Sequence, residues 1–236
     1  DLKKALKEIG LAEGRVFNKS IMDRVEQEMR QQYFARGYYA VSIKPTVTPL
    51  ERNRVGIQFD VAEGKPARIR EINLVGNSIY PDKKLLDLFI LGPAPWYAFF
   101  SSADQYSKQK LSGDLETLRN YYQDLGYLEF NVDSTQVSIT PDKENIYITI
   151  NVTEGKKYTF TGFKLAGTFV VPEKELEELV AIKPGNTFSR KLLTESTKKV
   201  SDRLANEGYA FANVNAIHEI NKETSEVFFT FFVDPG

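Results

Sequence analysis

The sequence predicts an α+β fold of tandem units, each running β-α-α-β-β, with a three-stranded mixed sheet covered on one face by two helices. Three observations predict it. Gly-Tyr pairs occur at Gly37-Tyr38, Gly126-Tyr127 and Gly208-Tyr209, 89 and 82 residues apart. Each unit closes on a short turn, Glu63-Gly64, Glu154-Gly155 or Pro235-Gly236, lying 27, 29 or 28 residues after its first glycine. The starts also match: residues 69–77 and 158–168 run strand-like into Gly76 and Gly167, and Pro81 and Pro172 follow five residues later. Similarity at fixed offsets is the mark of a repeat architecture.

The elements of the middle unit read in order. Residues 70–75 alternate polar and apolar side chains, as a half-buried strand does. Pro81 suits the first position of a short helix, where its missing N–H costs nothing. Leu111, Leu115, Leu118, Tyr122 and Leu125 fall at offsets 0, 4, 7, 11 and 14, the apolar stripe of one helix. Gly126 ends it, where a left-handed residue is commonly needed. Two strands follow over residues 128–140 and 146–153, joined at Pro141-Asp142-Lys143-Glu144, and the second places Ile146, Ile148, Ile150 and Val152 on one face.

The third unit repeats this, with Leu193, Val200 and Leu204 on its long helix and Val227, Phe229, Phe231 and Val233 on its last strand. The first unit predicts a long helix from about Ile21, with Ser20 as N-cap and Asp23 three residues on, and a last strand carrying Val55, Ile57, Phe59 and Val61. It lacks an opening strand, so the sequence reads as a fragment that begins inside a helix and ends on a unit boundary. The expected domains are residues 1–64, 65–155 (with an aromatic insertion) and 156–236.

Strand order follows from composition. The last strand of unit three is apolar at nearly every position, which suits the centre of a sheet. The strand before the last in unit one carries Pro45, which cannot donate a ladder bond and belongs on an edge. A tight hairpin pairs those two strands antiparallel. The opening strand then lies on the far side of the last, parallel to it.

Composition removes several kinds of chemistry. There is no Cys and one His, so disulfides, thiolate metal sites and multi-histidine sites are not expected, and no cofactor or metal is implied. Lys plus Arg total 31 against 32 Asp plus Glu, a balance that argues against a nucleic-acid partner. No P-loop or GxGxxG motif is present, nor the GxxG clamp of a KH module. His218 sits in a strand-like run, and Glu63 and Glu154 occupy one repeat position beside a turn glycine, which reads as structure and not as an acid pair. No apolar stretch approaches the ~18 residues that span a bilayer, so the chain reads as a soluble piece. An enzyme is not expected.

The sheet edges carry more promise. The penultimate strand of each sheet offers unpaired N–H and C=O groups to another extended chain. Pro45 and Pro49 blunt that strand in unit one. In unit two it has no proline before Pro141, and its candidate binding residues are Asn131, Asp133, Thr135, Gln136, Val137, Ser138, Ile139 and Thr140. Unit three's counterpart, residues 209–221, is also proline-free. Each added ladder bond contributes ~0.5–1.5 kcal/mol net, while ordering each guest residue costs ~1–2 kcal/mol. Such binding is weak and tolerant of sequence. The aromatic insertion, with Trp96, Tyr97, Phe99 and Phe100, is a second candidate contact.

Together these features resemble the POTRA domain. Residues 105–119 and 131–137 are similar to the third POTRA domain of outer-membrane β-barrel assembly proteins, and residues 49–55 to the hairpin of the second. The resemblance covers the chain as most of domain two, then domains three and four. It implies the periplasmic arm of a Gram-negative outer-membrane protein, joined to its own membrane β-barrel. It also implies accessory outer-membrane lipoproteins and unfolded outer-membrane proteins as partners. The strand from Asn131 to Thr140 matches the edge that takes part in strand addition and in docking a BamB-like propeller lipoprotein, with Val137 and Ile139 foremost among its contacts. The arm of a related secretion pore, or a periplasmic peptide- or glycan-binding module, are the alternatives.

Overall fold

A computed structural model describes residues 16–94 and 103–236. Its elements are α1 (Lys19–Ala35), β1 (Ser42–Leu50), β2 (Arg54–Ala62), β3 (Arg68–Val75), α2 (Asp82–Leu86), α3 (Lys108–Asp124), β4 (Asn131–Ile139), β5 (Asn145–Thr153), β6 (Thr159–Gly167), α4 (Glu173–Glu178), α5 (Arg190–Asn206), β7 (Asn213–Asn221) and β8 (Glu226–Asp234). They form three sheets, of order β1-β2, β3-β5-β4 and β6-β8-β7. The last strand is central in both three-stranded sheets, and β6 runs parallel to β8 while β7 runs antiparallel to it.

The three Gly-Tyr pairs do one job. Each long helix ends two residues before its glycine, and Gly37, Gly126 and Gly208 have φ of 85°, 103° and 97°. The following tyrosine N–H donates back to the carbonyl five residues earlier: Tyr38 to Tyr33, Tyr127 to Tyr122 and Tyr209 to Leu204. This is the Schellman pattern, which satisfies helix-end carbonyls. A turn follows in every repeat, with the N–H of Val41, Phe130 or Ala212 donating to the tyrosine carbonyl. Consequently the edge strands begin at Ser42, Asn131 and Asn213, later than residues 128 and 209 where alternation alone starts them.

By compactness the chain divides into two units, and the division passes through β3, β4 and β5. The first comprises Asp1–Asn73, Ile90–Asp114 and Gln136–Thr149. In it the Asn18 side chain accepts from the Ser20 N–H and caps α1, so Ser20 is not the N-cap. Asn18 sits one turn ahead of the first buried residue, where the free N–H groups are. Val25, Met29, Val41 and Ile43 form a small core with Tyr33, Phe34 and Phe59 against it. That core gathers at the start of β1. From the β2 face only Phe59 packs against it, and Val55 and Val61 are 38% and 36% exposed. Two backbone contacts lead onward: Ala67 N–H donates to Gly37 O (2.8 Å) and Ile69 N–H to Asp104 O (2.7 Å). Both oxygens of buried Asp114 accept backbone N–H groups, from Ile90 and Leu91.

The second unit comprises Leu74–Phe89, Leu115–Thr135 and Ile150–Gly236. Pro81 and Pro172 both occupy the N-cap of a short helix, one residue before the expected place. Tyr122 is fully buried and stacks on Phe130 at 4.2 Å, with Tyr80 and Tyr127 edge-on to it. The β6-β8-β7 sheet buries Val227, Phe229, Phe231 and Val233 on its helix-covered face, as alternation predicts. The corresponding β5 residues, Ile146, Ile148, Ile150 and Val152, are buried too. Ser189 caps α5 by accepting the Leu192 N–H, and Asp124 at the end of α3 accepts the next free N–H, that of Lys191, at 2.6 Å.

Candidate functional site

β4 has β5 on one side and no strand on the other among the described residues. Asn131, Asp133, Thr135, Gln136, Ser138 and Ile139 are exposed, while Val132 and Val137 are half-buried. The half-buried pair is five apart, so β4 does not keep strict two-residue alternation. Cross-strand bonds tie its first half to β5: Asn151 Nδ2 donates to Ser134 Oγ (2.8 Å) and Thr153 Oγ1 to Asp133 Oδ2 (2.6 Å). Residues 135–138 carry no such tether among the described contacts. With neither proline nor lysine, they form a free edge of the kind that another strand can join.

Thr140 plays another part. It closes the β4–β5 hairpin, its N–H donating to Asn145 O (3.0 Å) and its Oγ1 accepting from Asn145 N (3.0 Å). Its hydroxyl also donates to Asp142. That bond and the Glu144 N–H hold the Asp142 carboxyl below its ordinary range. The backbone N–H of Thr140 is thus spent within the hairpin. Val137 and Ile139 lie together in the second half of the strand, and Ile139 is 38% exposed. Trp96, Tyr97, Phe99 and Phe100 lie outside the described residues.

The other edges differ. β1 places Pro45 opposite Phe59 and Pro49 opposite Val55. β7 is proline-free, and on it His218 lies across from Phe229, its ring edge-on at 6.1 Å. Glu63 accepts from Tyr33 Oη, whereas Glu154 accepts from Ser78, Ile79 and Tyr122, so both acids serve their turns. Sequence reading missed Asp114, Asp104 and Ser196, all buried. The signal for Asp114 was a charged side chain three residues on from Leu111, inside an apolar stripe.

A tandem α+β scaffold with open strand edges is what the geometry defines. The POTRA model, described as a surface antigen variable number repeat, matches residues 2–64, 67–155 and 158–236. The chain belongs to this family. It is 32% identical over 236 residues to the outer membrane protein assembly factor BamA of Neisseria meningitidis, covering 100% of this chain and 30% of that protein. Against BamA of Buchnera aphidicola it is 28% identical over 229 residues, 97% of this chain and 37% of the relative. The chain thus spans about a third of the length of these relatives. Among solved structures it is similar in fold to Haemophilus influenzae BamA POTRA3-5, with a TM-score of 0.62 and 24% identity, over 72% of this chain and 66% of that one. No helix among the described residues is long and apolar enough to cross a membrane.

Proposed function

We propose that the chain is a periplasmic, non-catalytic scaffold of the outer-membrane protein assembly machinery, receiving unfolded outer-membrane chains by strand addition at β4. The free, proline-free edge over residues 135–138 carries this reading, and the assembly-factor names of the relatives support it. The same edge docks an accessory lipoprotein of the BamB-like propeller kind, and the parent protein supplies its own membrane β-barrel. The domains are residues 1–64, 65–155 and 156–236, corresponding to most of the second POTRA domain and to the third and fourth.

Weak, tolerant binding suits a chain that handles many clients and must release each. Ladder bonds at ~0.5–1.5 kcal/mol apiece roughly offset the ~1–2 kcal/mol ordering cost of each guest residue. Selectivity then rests on side chains such as Val137 and Ile139.

The test is an NMR titration of labelled chain with peptides taken from outer-membrane β-strands. Shifts concentrated on residues 131–139 are expected. In an edge strand alternate N–H groups face outward, so one of Val137 and Ser138 directs its N–H at the guest. Proline at that position blocks the guest and spares the internal ladder. Of V137P and S138P, one is expected to abolish the shifts while remaining folded. If neither alters them, or if no shifts occur near the peptide's solubility limit, strand addition here is wrong.

A further inference from the structure

A groove in the first compact unit is lined by other residues than those of β4. The end of α1 and the segment leading into α3 line this groove of about 990 Å³, at the upper end of the range for ligand sites. Arg36 lines it from just past α1, and Lys108 and Lys110 from the first turn of α3, with no carboxylate among the described lining residues. Arg36 and Lys108 are exposed, and neither forms an ion pair among the described residues. The whole chain is balanced at 31 cations to 32 acids, so this excess is local.

The rest of the lining is polar. Gln105 and Gln109 are exposed amides, able both to donate to and to accept from a peptide main chain. Tyr106, 9% exposed, and Tyr38 give aromatic surface. The Tyr106 ring lies 6.4 Å from that of Tyr39. A single phosphate or sulfate is far too small for such a space. A bilayer surface is engaged by clusters of about 4–8 Lys or Arg, whereas three cations stand among the described lining residues here.

We propose that this groove binds an acidic, extended peptide segment of a partner protein, with carboxylates at Arg36 and Lys108 and main-chain groups at the glutamine amides. Such a site adds speed and selectivity of encounter more than affinity, and salt weakens it. It is independent of strand addition at β4.

The experiment is fluorescence anisotropy with a labelled peptide of alternating Glu and Ser, set against its Gln-Ser counterpart, at low salt. The Glu peptide is expected to bind and to shift the Gln105 and Gln109 amide resonances. The R36E/K108E variant is expected to bind it at least ~10-fold more weakly, equal to ~1.4 kcal/mol. The K174E/K198E variant carries the same change in net charge elsewhere and is expected to bind like the parent, as is whichever of V137P and S138P remains folded. Circular dichroism checks folding, and R36Q/K108Q replaces the reversal variant if that one unfolds. Equal losses in the two reversal variants, undiminished binding in R36E/K108E, or binding to phosphatidylglycerol vesicles without binding to the Glu peptide would each overturn the proposal.

Discussion

At Glu154, 6% exposed in the turn after β5, donors converge from two parts of the chain. Ser78 gives its N–H (2.8 Å) and hydroxyl (2.7 Å), Ile79 its N–H (3.1 Å) and Tyr122 its phenol (2.7 Å). Burial by itself pushes the carboxyl pKa up, but these donors together outweigh it and hold it below the usual carboxylate range. Burial followed by the bond to Glu154 pushes the Tyr122 phenol well up, so it donates and stays neutral. Glu154→Ala leaves the buried Tyr122 phenol and the N–H groups of exposed Ser78 and Ile79 without their acceptor, and is expected to cost about 2 kcal/mol in urea unfolding; a loss under about 1 kcal/mol would contradict this role. Little of this was legible beforehand, because Ser78 lies 76 residues from its partner. Asp114 and Ser196 escaped for the same reason: each accepts from backbone N–H groups far off in sequence, Ile90 and Leu91 for one and Ala181 for the other.

Elements were far more legible than their polar fastenings. Strand alternation and helix periodicity are local, so the buried faces of β5 and β8 could be read without the fold. Boundaries shifted where a tertiary or turn interaction intervened: Phe130 leaves the strand pattern to stack on Tyr122, and Asn18 takes the cap assigned to Ser20. The glycine that ends each opening strand was recognised by spacing, and its reason is steric. At Gly167, with φ 104°, an added Cβ would lie 2.1 Å from Val233 O; at Gly76, with φ 99°, it would lie 2.1 Å from Val152 O. Left-handed backbone alone costs a non-glycine residue ~1–2 kcal/mol, and here the strand carbonyl must also move. Gly167→Ala is expected to lower stability by at least ~2 kcal/mol and Gly76→Ala by a similar amount. Gly185→Ala is the comparison, since nothing lies within 4 Å of its Cβ position and only the backbone term remains. Equal effects at all three positions would remove the steric explanation.

For the molecule as a whole, acid should loosen what neutral pH holds. Glu129 is held low by Lys222 and by the Tyr158 hydroxyl, and Glu154 by its own donors. A carboxyl whose folded pKa lies below its unfolded value contributes stability that is complete above the unfolded value and lost as pH falls through the folded one. The unfolding free energy is therefore expected to decline below about pH 4.5, and the decline to be shallower in E129Q/E154Q. A parallel decline in that variant would assign the acid sensitivity to other groups. The repeat order, the sheet order and the family resemblance were legible at this scale because glycines and prolines mark them at fixed spacings. The chemical availability of each edge was not, since Thr140's use of its N–H within a hairpin depends on the turn that β4 and β5 share. Strand addition is the central claim, and the absence of cysteine from the 236 residues makes its geometry accessible. A single cysteine at exposed Gln136 can be oxidised against outer-membrane strand peptides that carry one cysteine at successive positions. A strand lying along β4 predicts cross-linking that peaks at every second peptide position, because side chains alternate between faces. Uniform cross-linking along the peptide, or none, would contradict it.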